Sequence, residues 1–233
     1  MRRLAFIPAR GGSKGIKRKN LRQLNGISLV KRAAQAAQKS CLFDEVFVST
    51  DDEEIAEECK NIHKHSEYIR PSDLAQDNSS VADALIHAID WLQTKNNFFD
   101  TYTLIQTTSP LRTCDDIIKA QNLFEKSGKN TFASVSLVQE HPAEVLAIKN
   151  GKVTPLLSEE YLEQNRQNYD NHYYFINGAL YGGYVKNFIL SQRFIDLKSV
   201  FLYKMDAKNS IDIDEEYQLV MAEALFNFFR NNK

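Results

Sequence analysis

Cysteine, proline and long apolar runs are all scarce in this chain of 233 residues. The three cysteines are Cys41, Cys59 and Cys114, and no two of them form a C-x-x-C pair. A disulfide framework or a zinc site is therefore not expected, and a reducing cytoplasm fits this composition. The N-terminal apolar run at residues 4–7 is interrupted by Pro8 and Arg10, so it is too short for a secretory signal or a membrane helix.

Acidic residues are absent before Asp44, although the formal net charge of the whole chain is -1 and its pI is about 6.5. Positive charge is therefore concentrated in the first 43 residues. No basic stripe follows this region, so neither a nucleic-acid partner nor a membrane partner is expected.

Apolar runs alternate with helical periodicities along most of the chain, which is the pattern of an α/β protein. Strands are predicted at residues 4–7, 45–50, 102–106, 132–138, 178–184 and 200–205. Helices are predicted at residues 27–37, after the acidic residues 51–54, after a cap at Ser79 or Ser80, and at residues 114–124 and 215–229. We expect a single domain over residues 1–233, with a mostly parallel sheet between two helical layers and ligand loops at the carboxyl ends of its strands.

The alternation stops after Val138. Residues 139–173 show little helix or strand periodicity, and a turn is predicted at Asn150-Gly151. We interpret residues 139–173 as an arm inserted in the domain, a feature typical of oligomerisation contacts.

Residues 8–20 combine glycines with dense positive charge directly after the first predicted strand. Gly11, Gly12 and Gly15 favour a loop whose peptide N–H groups point into one concavity, and Arg10, Lys14 and Lys19 supply contacts to phosphate oxygens. The spacing matches neither the Walker A loop nor the G-x-G-x-x-G fingerprint. The alternative is a basic surface loop without a phosphate ligand.

Two carboxylates, Asp212 and Asp214, stand two positions apart in Ser210-Ile211-Asp212-Ile213-Asp214. In an extended segment both side chains point to one face, an arrangement that suits Mg²⁺ bound to a nucleotide. The alternative is that the two aspartates cap the helix that begins near Glu215.

Two further segments offer groups for recognising a base or a sugar. Residues 106–112 carry an amide, three hydroxyls and a guanidinium after a predicted strand, although a plain strand-to-helix turn is the alternative. In residues 70–80, two roles are open for Arg70: it would either bind a ligand or form an ion pair with Asp73.

Taken in order along the chain, these motifs resemble the acylneuraminate cytidylyltransferase family, the CMP-sialic acid synthetases. The resemblance spans nearly the whole chain and is carried by residues 9–15 with 19–21, 48–51, 70–80, 106–112, 177–181 and 210–214. It implies a Rossmann-like nucleotidyltransferase fold, the nucleotide substrate CTP, an acidic nine-carbon sugar and Mg²⁺.

The resemblance also implies site residues. Those expected to bind CTP are Arg10, Gly11, Gly12, Ser13, Lys14, Lys19, Asn20, Arg70 and Ser80, with Arg10 and Asn20 near the base. Those expected on the sugar side are Gln106, Thr108, Ser109, Arg112, Arg166 and Tyr181. Asp212 and Asp214 are expected to hold Mg²⁺.

The implied reaction is attack of the anomeric hydroxyl of a nonulosonic acid on the α-phosphorus of CTP, with loss of pyrophosphate. Lys14 and Lys19 would neutralise the developing pyrophosphate, and Asp214 or the substrate carboxylate would help to remove the proton. The rivals are a nucleotidyltransferase for 3-deoxy-manno-octulosonate or a neutral sugar phosphate, and a CTP-binding regulatory module.

The same resemblance implies a homodimer with swapped arms, in which Arg166 binds the sugar carboxylate of the partner's site. The alternative is a surface Arg166 paired with Glu163. Two departures from the family pattern concern the sugar. Glu144 stands where a Lys is frequent, and Phe175-Ile176 stands where Arg-Pro is frequent. Ser13-Lys14-Gly15, in contrast, favours a sialic- or legionaminic-type sugar over pseudaminate.

Overall fold

The computed structural model describes residues 1–65, 67–164, 169 and 172–231. Over these residues the strands are β1 (Arg3–Pro8), β2 (Gln23–Leu24), β3 (Ile27–Ser28), β4 (Glu45–Ser49), β5 (Thr101–Ile105), β6 (Thr131–Leu137), β7 (Leu146–Lys149), β8 (Lys152–Pro155), β9 (Tyr174–Tyr184) and β10 (Val200–Lys204). The α-helices are α1 (Leu29–Lys39), α2 (Glu53–Cys59), α3 (Val81–Thr94), α4 (Cys114–Ser127), α5 (Val185–Ser191) and α6 (Glu216–Asn231). Short 3-10 helices lie at Lys19–Leu21, Ser72–Ala75, Pro142–Glu144, Glu159–Glu163 and Ala207–Asn209.

Six strands form one sheet in the order β10-β6-β9-β5-β1-β4. Strand β1 is parallel to β4 and β5, and β10 is parallel to β6, whereas β9 is antiparallel to both of its neighbours. The predicted mostly parallel sheet is confirmed, with one reversed strand inside it. The loops that follow the parallel strands therefore leave the sheet at one edge, and the start of β9 lies at that same edge.

Helices pack on both faces of the sheet because successive side chains of β1 point in opposite directions. Ala5 and Ile7 belong to a buried cluster with residues of α1, α2 and α4. Leu4 and Phe6 belong to a second cluster with residues of α3 and α5. A strand buried on both faces needs a continuous apolar run, which explains the run at residues 4–7.

A third buried cluster lies away from the two faces of the sheet and joins the first loop to the C-terminal helix. Its members are Ile16, Leu24, Leu29, Ile213, Leu219 and Ala222. Ile16 is 1% exposed and Ile213 is 0% exposed. Burying these two side chains together holds the glycine-rich loop against the acidic segment that precedes α6.

The helix predicted from residue 27 begins two residues later than expected. Asn25 and Gly26 have φ of 50° and 75°, as in a two-residue hairpin turn, so Ile27 pairs with Leu24 across β2 and β3. Helix α1 then begins at Leu29, with the Ser28 hydroxyl as its N-cap. The Asn-Gly dipeptide is the sequence signal for this hairpin.

Residues 139–173 contain more regular structure than the sequence predicts. The turn predicted at Asn150-Gly151 is confirmed: these residues have φ of 52° and 76° and join β7 to β8. Nearly all side chains of this hairpin are exposed. Each of its strands is only four residues long, which is the shortest window over which alternation marks a strand in a sequence.

One strand boundary and one helix also differ from the prediction. Strand β9 begins at Tyr174 rather than at residue 178, since Phe175 and Ile176 pair with Ser136 and Val135 of β6. Helix α5 was not predicted, and it buries Val185 and Phe188 in the cluster behind β5. Among the described residues, no helix combines the length and the apolar character that crossing a bilayer requires.

Candidate active site

A cleft of about 460 Å³ opens at the edge of the sheet where the parallel strands end. Its predicted lining residues are Arg10, Gly12, Ser13, Lys14, Gly15, Lys19, Asn20, Arg70, Gln106, Thr108 and Asp214. It is also lined by Pro8, Val81, Thr107 and Glu215. The fold thus brings the glycine-rich loop, the Arg70 segment, the loop after β5 and the acidic segment into one cavity.

The glycines of the first loop allow close approach of the backbone rather than an unusual dihedral angle. None of Gly11, Gly12 and Gly15 has φ in the left-handed region. A Cβ atom on Gly15 would collide with the carbonyl oxygen of Asp214. The N–H of Gly11 already donates to Asp51 Oδ1 at 2.9 Å, so it does not belong to the predicted set of open N–H groups.

Lys19 connects the loop to the acidic segment. Its Nζ atom donates to the carbonyl oxygen of Ile213 and to Asp214 Oδ1, both at 2.9 Å. The backbone N–H of Lys19 donates to the Ser13 hydroxyl at 3.1 Å, and that hydroxyl donates to the Ile16 carbonyl. The Lys19 side chain is 14% exposed, so its ammonium group is held in one place beside the cleft.

Arg10 and Lys14 share one carboxylate. Arg10 Nη2 lies 2.9 Å from Asp77 Oδ1, and Lys14 Nζ lies 3.7 Å from Asp77 Oδ2. The Asp77 and Lys14 side chains are exposed, and exposed ion pairs of this kind contribute about 1 kcal/mol or less. A ligand with several negative charges can therefore displace Asp77 from both cations.

Arg70 is a buried cation at the wall of the cleft. It is 5% exposed, and it donates from Nε to Ser49 Oγ at 2.9 Å and from Nη2 to the Ser49 carbonyl. Desolvation lowers the pKa of this guanidinium. The alternative pairing with Asp73 is wrong, because the described contacts of the Arg70 side chain are with Ser49. No carboxylate in the described part of the chain forms an ion pair with Arg70, although the charge of Asp51 partly opposes the fall of its pKa, so an anionic ligand would compensate the buried charge.

Asn20 holds the loop to the end of β5. It is 7% exposed, its Nδ2 donates to the Arg10 carbonyl at 2.8 Å, and its Oδ1 accepts from the Thr107 hydroxyl at 2.6 Å. Both polar ends of the side chain are therefore bonded within the protein. The structure thus gives Asn20 a positioning role, and its contact with a base stays a prediction.

The segment at residues 106–112 divides into a part that lines the cleft and a part beneath it. Gln106 and Thr108 line the cleft, and the Thr108 hydroxyl donates to Gln106 Oε1 at 3.3 Å. Arg112 is buried and donates to the carbonyls of Gln106 at 2.8 Å and Ala179 at 3.3 Å. Burial lowers the pKa of Arg112 to about 10. Arg112 thus supports the loop from below. Ser109 is fully buried and does not line the cleft, and the sugar contacts of both residues stay predictions.

The two aspartates of the acidic segment have different environments. The Asp214 carboxylate is exposed and pairs with Lys19, whereas Asp212 Oδ1 is buried without a hydrogen-bond partner among the described residues. Desolvation raises the pKa of Asp212, the Thr108 hydroxyl opposes this rise, and the charge of Asp214 adds to it. A cation beside Asp212 would remove this penalty.

Neither aspartate side chain caps α6 in the described structure. The backbone N–H groups of Asp214 and Glu215 both donate to Gln218 Oε1, at 2.7 and 2.8 Å. The start of α6 is therefore capped by the amide of Gln218. The other part of the alternative, that the charges of Asp212 and Asp214 favour the N-terminus of this helix, stays a prediction.

The described residues contain no cluster of three or more His, Cys, Asp or Glu side chains that would enclose a metal ion. Mg²⁺ on a nucleotide is commonly bound by only one or two carboxylates, with water and phosphate oxygens as its other ligands. The unpartnered oxygen of Asp212 and the nearby carboxylate of Asp214 fit a site of this open kind.

Two other predicted site residues, Ser80 and Tyr181, do not line the cleft. Ser80 caps α3 by accepting the N–H of Ala82 at 3.0 Å. Tyr181 lies half-buried on β9, and burial, with the charge of Asp212, raises its pKa. Arg166 lies outside the described residues.

Acidic residues that hold the glycine-rich loop were missed as site residues. Asp51 and Asp52 were expected only to begin a helix, and Asp52 does cap α2. Asp51 also accepts the N–H of Gly11, and Asp52 Oδ2 lies 2.9 Å from Arg18 Nη2. Their position directly after β4 was the signal, because every parallel strand ends at the ligand edge.

A family model described as Cytidylyltransferase matches residues 4–232. The CMP-N,N'-diacetyllegionaminic acid synthase of Legionella pneumophila subsp. pneumophila is 33% identical over 227 residues, which cover 97% of this chain and 96% of that protein. The pseudaminic acid cytidylyltransferase of Campylobacter jejuni subsp. jejuni is 29% identical over 228 residues, which cover 97% of each chain.

Among solved structures, that of CMP:2-keto-3-deoxy-manno-octonic acid synthetase complexed with CTP is similar, with a TM-score of 0.67. The match covers 97% of this chain and 99% of that chain, at 15% sequence identity. This likeness shows a shared fold.

Proposed function

The chain belongs to the cytidylyltransferase family, and from this premise we propose that it transfers CMP from CTP to the anomeric hydroxyl of a nonulosonic acid and releases pyrophosphate. Two relatives that match this chain over nearly their whole length carry this type of activity in their names, which supports the proposal. The observation that carries it is the contact of Lys19 Nζ with both Ile213 and Asp214, which joins the phosphate loop and the acidic segment across one cleft.

The cations around the cleft suit a nucleoside triphosphate. Its walls carry four cations, those of Arg10, Lys14, Lys19 and Arg70. The Asp77 carboxylate contacts Arg10 and Lys14, and a phosphate group can replace it there. Positioning and charge neutralisation provide most of the catalysis in this class of reaction. In this proposal Lys14 and Lys19 bind the phosphates that leave as pyrophosphate, and Arg70 helps to hold the nucleotide.

We assign Mg²⁺ to Asp212 and Asp214. When bound there, the ion would supply positive charge to the phosphate oxygens. The proton of the anomeric hydroxyl would pass to Asp214 or to the carboxylate of the sugar itself. The low exposure of Lys19, on the same wall, keeps its positive charge fixed during the transfer.

The sugar would be bound at the end of the cleft formed by Gln106 and Thr108, where the Gln106 N–H donates to the Ala179 carbonyl of β9. Phe175 and Ile176, which replace the frequent Arg-Pro pair, lie earlier on β9, are 46% and 48% exposed, and do not line the cleft. Legionaminate, pseudaminate and N-acetylneuraminate are the candidate substrates.

Pyrophosphate release, measured with CTP, Mg²⁺ and each candidate sugar in turn, tests the function. We expect release with at least one nonulosonic acid and little release when UTP replaces CTP. Release only with 3-deoxy-manno-octulosonate or a neutral sugar phosphate would assign the chain to another class of sugar nucleotidyltransferase. Binding of CTP without turnover on any sugar would indicate a regulatory module.

We also propose that the arm at residues 139–173 joins two copies of the chain into a homodimer. Leu146, Ile148 and Val153 of its hairpin are 50%, 76% and 55% exposed, and Leu156 follows at 58%. A two-stranded hairpin is only marginally stable without a packed apolar face. Contact with a second copy would bury this face, and Arg166 of the arm would then bind the sugar carboxylate of the partner's site.

Mixing subunits tests this arrangement. An inactive Lys19→Ala chain combined with an inactive Arg166→Ala chain should regain activity, because one site of the heterodimer then has an intact loop from one chain and an intact arm from the other. Each variant refolded alone serves as the control. No recovery in heterodimers of proven composition would show that Arg166 does not act across the interface.

A further inference from the structure

We propose that Ser49 and Tyr68 are positioning residues that hold the guanidinium of Arg70 in the orientation that binds the nucleotide. The inference rests on the proposed function, since it takes CTP as the ligand of the cleft that Arg70 lines. Neither residue lines that cleft, so both act through Arg70.

The contacts form a continuous chain of side chains. Arg70 Nε donates to Ser49 Oγ at 2.9 Å, Ser49 Oγ lies 3.0 Å from Tyr68 Oη, and Tyr68 Oη lies 3.2 Å from His87 Nδ1. The strand β4 supplies Ser49 at its last residue, and helix α3 supplies His87. A strand end and a helix are thus linked behind one cationic side chain.

The chemistry of the groups fixes the direction of the first hydrogen bond. The guanidinium can only donate, so Ser49 Oγ accepts from Arg70 Nε. Either hydroxyl can donate in the bond between Ser49 Oγ and Tyr68 Oη, and the bond between Tyr68 Oη and His87 Nδ1 takes its direction from the His87 tautomer. Ser49 is thereby held in one rotamer, with its oxygen toward Arg70.

The surroundings leave no substitute for these hydroxyl groups. Ser49 is 0% exposed and Tyr68 is 2% exposed. The Tyr68 ring packs against Phe47 and Trp91, with centroids 4.6 and 5.2 Å away. If the tyrosine oxygen is removed, the Ser49 hydroxyl loses its hydrogen bond to Tyr68 and can turn away from Arg70.

Nη1 of Arg70 and the second N–H of Nη2 remain available to the ligand. Nε and Nη2 are both bonded to Ser49, and within the described part of the chain Nη1 has no hydrogen bond. With two of its three nitrogens bonded to Ser49, the guanidinium plane is fixed before the nucleotide arrives. Preorganisation of this kind improves affinity rather than the chemical step.

Tyr68→Phe is therefore expected to raise the KM for CTP roughly 3- to 10-fold and to change kcat less than about 2-fold. Ser49→Ala should raise the KM at least as much, and Ser49→Thr, which keeps the hydroxyl, should restore it. Tyr102→Phe is the matched control, because Tyr102 is also fully buried in the same cluster and its hydroxyl has no partner in the described structure. It should leave the KM unchanged.

Arg70→Met separates this inference from the proposed function. If Arg70→Met raises the KM for CTP and Tyr68→Phe adds nothing in that background, the positioning role is supported. If Arg70→Met raises the KM but Tyr68→Phe alone behaves as Tyr102→Phe does, or if Arg70→Met has no effect on the KM, the positioning role is overturned while CTP remains the substrate. A wild-type chain that neither binds CTP nor releases pyrophosphate would overturn the proposed function itself.

Discussion

Lys19→Ala is expected to lower the turnover of pyrophosphate release by about tenfold or more while the protein stays folded. A hydrogen bond from a charged donor to phosphate is typically worth about 1.5 to 3 kcal/mol. Lys19 also fixes Asp214, since its Nζ lies 2.9 Å from Asp214 Oδ1. The measurement is the steady-state rate at saturating CTP and sugar, together with circular dichroism to confirm the fold.

Lys17→Ala is the matched control for this prediction. Lys17 belongs to the same basic loop, but it is exposed and does not line the cleft. Removing it changes the net charge by the same amount, so a general electrostatic effect would lower both rates. Arg10→Ala should behave as Lys19→Ala does. Full activity in the Lys19 and Arg10 variants would show that the loop does not bind the triphosphate.

Asp212→Asn should abolish Mg²⁺-dependent turnover without lowering the melting temperature. An amide is neutral and is a much weaker ligand for Mg²⁺ than a carboxylate. Oδ1 of this carboxylate is buried without a partner among the described residues, and desolvation, the largest cause, raises the pKa of Asp212 despite the opposing contacts of Thr108 and Lys19. Asparagine removes the cost of burying that charge.

Asp90→Asn provides the control, since Asp90 is exposed on α3 and the change in side chain is the same. Both variants should be assayed over a range of Mg²⁺ concentrations and melted in parallel. A lower melting temperature with normal specific activity for Asp212→Asn would mean that Asp212 serves stability and not the metal.

Much of the fold can be predicted from local patterns. The run at residues 4–7 predicts a strand buried on both faces, and Asp52 and Ser80 begin the helices expected after them. The reversed direction of β9 cannot be predicted in this way. Strand direction depends on which neighbours a strand pairs with, and the apolar pattern of a strand is the same in either direction.

The candidate site is also only partly determined by local sequence. Its residue types are visible as motifs, and the resemblance to a family supplies their expected order along the chain. The burial of Arg112 cannot be predicted from the sequence. An arginine in a loop gives the same local pattern whether its guanidinium contacts a ligand or donates to carbonyl groups of the protein, as Arg112 does. The same holds for Asn20, whose two polar ends are bonded inside the protein.

The α/β class, the basic loop and the acidic pair can be predicted from the residues alone, because periodicity, glycine and charge are local properties. The contact of Lys19 with Asp214 and the positions of Ser49 and Tyr68 behind Arg70 depend on how the chain folds. Lys19 and Asp214 are far apart in the chain, and Ser49 and Tyr68 are separated from the cleft by Arg70. The parallel strands bring their loops to one edge, and the buried pair of Ile16 and Ile213 then closes the basic loop on the acidic segment.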